Sequence, residues 1–293
     1  MEVTMKKFSI LPLILILTLI VPMRADSSDN GDITYTVIDG KVTVTGFSGE
    51  PEELIIPQYI ENFPITEIRD NAFCRCTTLR NITLPNTLKE IGHHAFFGCT
   101  SLESITLPQQ TEKLGMGCFE GCTSLKEAHL SDSLIILPDS CFRSCTSLNS
   151  IVISQNTTEI EKFCFCGCSS LEYVSLNGKL QTIGLGSFYM CDAMNNIYIP
   201  PFVTSIGSEA LGYGKGGIKL PMKITGSGDS AAEDYASTND IDFSDAPETA
   251  ATFVPAKTNN APVGLPPALA ASGGLFFILT ALLALRQYLR SRK

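Results

Sequence analysis

Between residues 65 and 214, apolar and polar positions recur with a period of 23. Phe73, Phe96, Phe119, Phe142, Phe165 and Phe188 share one position of the repeat, with Leu211 at the next step, and Cys76, Cys99, Cys122, Cys145, Cys168 and Cys191 share another. Within one period Leu79, Ile82, Leu84, Leu88, Ile91, Ala95, Phe96 and Cys99 are apolar, and Leu102 opens the next. The spacing of two between Ile82 and Leu84 is that of a strand, which turns both side chains to one face and Asn81 and Thr83 to the other. The column persists below Ile82 as Ile105, Ala128, Ile151, Val174 and Ile197. A unit this short cannot bury its apolar face alone. The fixed period therefore predicts stacked units whose strands form a parallel sheet, with neighbours roughly 4.8 Å apart.

The flanks read differently. Ile33, Tyr35 and Val37, then Asp39-Gly40, then Val42 and Val44, alternate as a β-hairpin with its turn, so residues 26–64 are expected to form an N-terminal cap and a first irregular repeat. Residues 215–245 predict a C-terminal cap, with a strand from Ile218, a short helix over Ala231 to Ser237 and a closing strand at Ile241 to Phe243. Residues 246–263, rich in Ala, Pro, Thr and Asn, predict a flexible linker. Lys6 and Lys7, the apolar run from Phe8 to Val21 and the polar residues after Ala25 give residues 1–25 the pattern of a signal peptide. Residues 264–285 are long and apolar enough for a transmembrane helix, and the basic tail 286–293 would hold its end in the cytoplasm. The expected placement is a single-pass type I protein with its repeat body outside the cell. A wall-sorting signal is the competing reading, but Leu265-Pro266-Pro267-Ala268-Leu269 lacks the Thr-Gly that would follow.

The formal charge of −9 understates the acidity of the body, because the two ends carry seven of the 21 basic residues. Residues 26–263 hold 14 basic and 29 acidic residues, which disfavours nucleic acid and anionic lipid as partners of the body.

Eleven cysteines invite a search for chemistry. Six follow the period, and Cys118, Cys141 and Cys164 occupy a column filled elsewhere by Ala72, Ala95, Ser187 and Ala210, which marks a small buried side chain. Disulfides between adjacent rungs and metal binding near Cys164, Cys166 and Cys168 or near Cys74 and Cys76 are the sharper alternatives. Packing explains the period by itself, and no Cys-x-x-Cys or His-containing ligand motif accompanies it, so no metal and no cofactor is expected. Of the three histidines, His93 and His94 fall in a loop and His129 faces outward from a strand. No Gly-x-Ser-x-Gly elbow or phosphate-binding glycine loop is present, and no enzyme activity is expected.

The pattern Leu-x-x-Ile-x-Leu-Pro-x-x-Leu-x-x-Ile-x-x-x-Ala-Phe-x-x-Cys resembles the leucine-rich repeats of the BspA-like bacterial surface family over residues 33–245. With the periodic reading, it leads to an α/β repeat solenoid: a right-handed leucine-rich-repeat coil with a parallel β-sheet face, two caps and one transmembrane helix. The chain departs from commoner leucine-rich repeats at Thr87, Gln110, Ser133, Asn156, Lys179 and Phe202, so no asparagine ladder is expected. The resemblance implies a surface-displayed adhesin or receptor for a protein or glycan on host, matrix or neighbouring cells. The candidate surface is the outward face of the strands, where Glu127, His129, Tyr173 and Tyr198 interrupt columns of small polar residues. The alternative is a structural or self-associating envelope module without a soluble ligand.

Overall fold

The computed structural model describes residues 23–25 and 32–245. Each turn of the chain has three sides. The first carries nine short parallel strands in line: Glu53–Ile55, Asn81–Thr83, Ser104–Thr106, Glu127–His129, Ser150–Val152, Tyr173–Ser175, Asn196–Tyr198, Lys223–Gly226 and Asp242–Asp245. Pairing within it holds the 23-residue step in register, as Glu127↔Ser104 and Tyr173↔Ser150 show. The second side carries two-residue parallel strands, from Glu90–Ile91 to Ser205–Ile206. Its ladder breaks between Lys113–Leu114 and Ile136–Leu137. Pro138 stands at that step and has no N–H to donate, whereas Gly115, Glu161, Gly184 and Gly207 each donate one to the preceding turn.

The third side overturns the α/β expectation. Among the described residues the chain is a β-solenoid of nine turns whose single α-helix is Ala231–Thr238, beside one 3-10 turn at Lys215–Gly217. Each repeat places two residues four apart at positive φ on this side: Asn71 and Arg75, His94 and Gly98, Gly117 and Gly121, Ser140 and Ser144, Phe163 and Gly167, Gly186 and Met190. Left-handed residues at that spacing interrupt a right-handed helix before one turn is complete. The backbone bonds between turns instead: the N–H of Phe96, Phe119 and Phe142 donates to the carbonyl of Cys118, Cys141 and Cys164. The expected transmembrane helix has no support either. Residues 264–285 lie outside the described residues, and among those described no helix is long and apolar enough to cross a membrane. The type I topology rested on that helix and falls with it. The linker 246–263, the tail 286–293 and most of the proposed signal peptide also lie outside the described residues.

The core is a set of ladders. Phe73, Phe96, Phe119, Phe142, Phe165 and Phe188 stack with centroids 5.1–5.4 Å apart and planes within 12° of parallel. The hairpin Asp32–Ile38 and Lys41–Ser48 closes one end, turning through Asp39 and Gly40 at positive φ. Strand Met23–Ala25 adds to its outer edge. At the other end Tyr235, on the helix, donates its hydroxyl to Leu211 O and accepts from Leu211 N, both at 3.0 Å.

The thiols have a structural task beyond filling space. Sγ of Cys99, Cys122, Cys145, Cys168 and Cys191 each lies 3.1–3.3 Å from the carbonyl oxygen of the Phe 26 residues earlier. A thiol is small, apolar and a weak donor, so it fits the core and satisfies a buried carbonyl at once. All eleven cysteines are free. Burial pushes the ladder thiols upward, Cys122 to about 12, which keeps them protonated and able to donate.

A polar seam runs where the prolines lapse. Pro85, Pro108 and Pro200 give way to Ser131, Ser154 and Asn177, and the replacements bond between turns: Ser131 Oγ to Gln109 O at 2.9 Å, and Asn177 Nδ2 to Ser154 O and Thr157 O at 2.7 and 2.9 Å. Thr157 Oγ1 lies 2.7 Å from Ser154 Oγ and donates to Leu134 O at 3.0 Å. Asn177 thus forms an asparagine rung in the proline column, and in the column where the sequence pattern seeks one Asn156 Nδ2 donates to Asp132 O at 2.8 Å.

Candidate functional site

The first side turns every second residue outward, because each strand shows its inner residue to the core and the two beside it to solvent. In Glu127–His129, Ala128 is buried while Glu127 and His129 are exposed. The two exposed side chains meet along the strand, with His129 Nε2 and Glu127 Oε2 3.8 Å apart. Tyr173 lies two strands further on, 44% exposed, and Tyr198 three strands on and half-buried. On the strand between His129 and Tyr173, Val152 is also exposed. The strands Ser150–Val152, Tyr173–Ser175 and Asn196–Tyr198 show only uncharged outward residues: Ser150, Val152, Tyr173, Ser175, Asn196 and Tyr198. The four candidates therefore share one face as a carboxylate–imidazole pair and an uncharged aromatic tract beside it.

The period alone does not pick out a second feature of this face. Along its margin Arg80, Glu103 and Lys126 are stacked one per turn, with Glu103 Oε1 3.4 Å from Arg80 Nη1 and Oε2 3.0 Å from Lys126 Nζ. The Lys126 hydrogen bond and charge, with a smaller part from Arg80, hold the Glu103 carboxyl below its usual range. Alternating charge at a spacing of 23 is the sequence signal that reveals it. His93 and His94 stand elsewhere: His93 Nδ1 accepts from the Met116 N–H at 2.9 Å, and His94 packs edge-on against Phe97 on the third side. Among the described residues no group of three or more His, Cys, Asp or Glu side chains is placed to hold a metal ion.

Residues 53–145 and 135–253 match the family model described as the BspA type leucine rich repeat region, with six copies of the repeat. The chain belongs to the BspA-type leucine-rich-repeat family. No curated protein matches it. Its fold is similar to that of the T. pallidum leucine-rich repeat protein, at 23% identity and a TM-score of 0.56 over 72% of this chain and 95% of that one. It is also similar to a leucine-rich repeat protein from Eubacterium ventriosum, at 24% identity and a TM-score of 0.54, over 61% of this chain and about half, 47%, of that one. At these identities the likeness concerns the fold. Within the BspA-type repeat, the outward columns are the part of the scaffold that the core leaves free to vary.

Proposed function

We propose that this chain is a surface-displayed binding protein that recognises a protein or glycan partner through the first side of its solenoid. The observation that carries the reading is the in-line face of nine strands, whose core demands are met entirely by inward columns. Glu127, His129, Tyr173 and Tyr198 are its anchoring residues, since large side chains with polar tips on an otherwise small-residue face supply most contact area at little ordering cost. Display at the surface follows from export directed by residues 1–25. Amino-terminal sequencing of the exported protein is expected to begin at Asp26; a product that still carries Met1 rejects cleavage there.

The binding test compares the chain with a variant in which all four residues are serine, on a panel of matrix proteins, mucins, glycans and wall polymers. Because the substitutions are outward, the variant should keep its circular dichroism and melting point. Its affinity should fall by more than about tenfold for whichever partner binds, a loss of roughly 1.4 kcal/mol or more. Unchanged binding by the folded variant removes these residues from the site. Binding of nothing by either protein, with a mass that rises with concentration, favours a self-associating envelope module.

A further inference from the structure

The first side changes character along its length. Glu127 and His129 face outward on one strand, and further on Lys223–Gly226 turns out Lys223 and Asp242–Asp245 turns out Asp242. Between these charged ends stand Ser150–Val152, Tyr173–Ser175 and Asn196–Tyr198, whose outward side chains carry no charge.

Hydroxyls, amides and two phenol rings make up most of this tract. Ser150 is in register with Tyr173 and Val152 with Ser175, and the period of 23 places Asn196 beside Tyr173 and Tyr198 beside Ser175. The outward residues of the last two strands therefore stand at four corners, with rings on one diagonal and small hydrogen-bonding side chains on the other. Tyr173 is the more exposed ring, and its in-register neighbour is only a serine. At the margin Asn149 Oδ1 accepts from Ser150 Oγ at 3.1 Å and Asn195 Oδ1 accepts from Asn196 Nδ2 at 2.6 Å. Glu172 lies at the margin between these two asparagines, and it is exposed.

Size separates the partner classes. Three strands of three residues each, about 4.8 Å apart with a rise of about 3.3 Å per residue, cover roughly 150 Å². A stable protein partner buries about 800 Å² on each side, so it would have to spread over the charged strands at both ends. A short run of sugar rings fits within the neutral tract alone. Such a ring has an apolar C–H face that packs flat on an aromatic side chain, and a rim of hydroxyls that pair with amides, hydroxyls and carboxylates.

We propose that the neutral tract binds an uncharged glycan, with one sugar ring packed on Tyr173 and the adjoining hydroxyls held by the serine and asparagine side chains around it. This rests on the first side being the binding face and narrows its partner to one class. Glu127 and Glu172 border the tract and exclude sulfated or carboxylated glycans, which would bring like charge against them. Lys126, the margin cation beside Glu127, is engaged by Glu103 at 3.0 Å.

The test measures binding of the full chain to maltohexaose, cellohexaose, mannan and asialomucin by titration calorimetry, beside dextran sulfate, polygalacturonate and sialylated mucin. A neutral glycan is expected to bind, and none of the anionic ones more tightly. Tyr173→Ala should weaken that binding by more than about tenfold, whereas Tyr173→Phe keeps the ring and retains it. Both variants should melt with the parent chain, because the side chain is outward. Glu127→Gln combined with Glu172→Gln should raise the affinity for sialylated mucin relative to asialomucin, a gain that misfolding does not produce. Full binding by folded Tyr173→Ala, a preference of the parent chain for anionic glycans, or no binding of any neutral glycan would each overturn the proposal. A matrix protein that binds with the same affinity after enzymatic removal of its glycans, and is lost when the four anchoring residues are serine, would reject the glycan and leave the first side as the binding face.

Discussion

Phe142→Ala is expected to destabilise the solenoid by about 3–5 kcal/mol, the largest effect of any single substitution considered for this chain. The ring is fully buried and is stacked on both faces, against Phe119 and Phe165, each 5.4 Å away between centroids. Truncation therefore leaves a void bounded by two rings that the backbone bonds between turns prevent from closing together. Those bonds also spread the damage, because a solenoid turn is supported only by its neighbours. Urea unfolding followed by circular dichroism should show a lower midpoint and a broader transition as the two halves of the stack lose their coupling. Phe202→Ala is the matched control: that ring is 59% exposed, and its loss should cost no more than about 0.5 kcal/mol. Equal effects at the two positions would mean that the phenylalanine stack does not hold the turns together.

Gly184→Ala is expected to have the next largest effect, about 1–3 kcal/mol. A methyl group there would lie 2.6 Å from the Glu161 carbonyl carbon and the Lys162 nitrogen and 2.9 Å from Ile160 O. All three are backbone atoms of the preceding turn, so no side chain can rotate away. The Gly184 N–H also donates to Ile160 O at 2.7 Å, and relief of the clash would stretch that bond. Gly178→Ala supplies the contrast, since a methyl group there meets nothing within 4 Å and should be neutral or raise stability by up to about 1 kcal/mol through the unfolded chain. The same column holds Pro138, where the second-side ladder breaks, and Glu161, whose ladder bond to Leu137 O is kept and whose carboxylate Oε2 accepts the Asp139 N–H at 2.7 Å. A stability of Gly184→Ala equal to that of the parent chain would show that the close approach of successive turns is not required.

Much of the candidate site was legible in the sequence because strand alternation is a local rule. Once Ile82 and Leu84 are inward, Asn81 and Thr83 must be outward, and adding 23 carries the rule to Glu127, His129, Tyr173 and Tyr198. Their mutual arrangement was not legible. That Glu127 Oε2 and His129 Nε2 stand 3.8 Å apart, and that one Glu103 carboxylate reaches both Arg80 and Lys126, depends on side-chain conformations that spacing does not fix.

The sequence by itself determined the repeat length, the inward columns of Leu, Ile, Phe and Cys, the outward columns and the acidic body, because each follows from spacing or composition. Tertiary structure alone decided the third side. Its left-handed positions are held by residues as different as Asn71, Arg75, His94, Phe163 and Met190, so no residue type announces them, and the α/β expectation failed there. The stack also decided which thiols are protected, since each ladder cysteine donates to a carbonyl 26 residues back and only the first turn lacks that partner. A period read along the chain shows which residues are equivalent; hydrogen bonds between turns depend on what lies above and below each of them, and the ends of the stack are where equivalence stops.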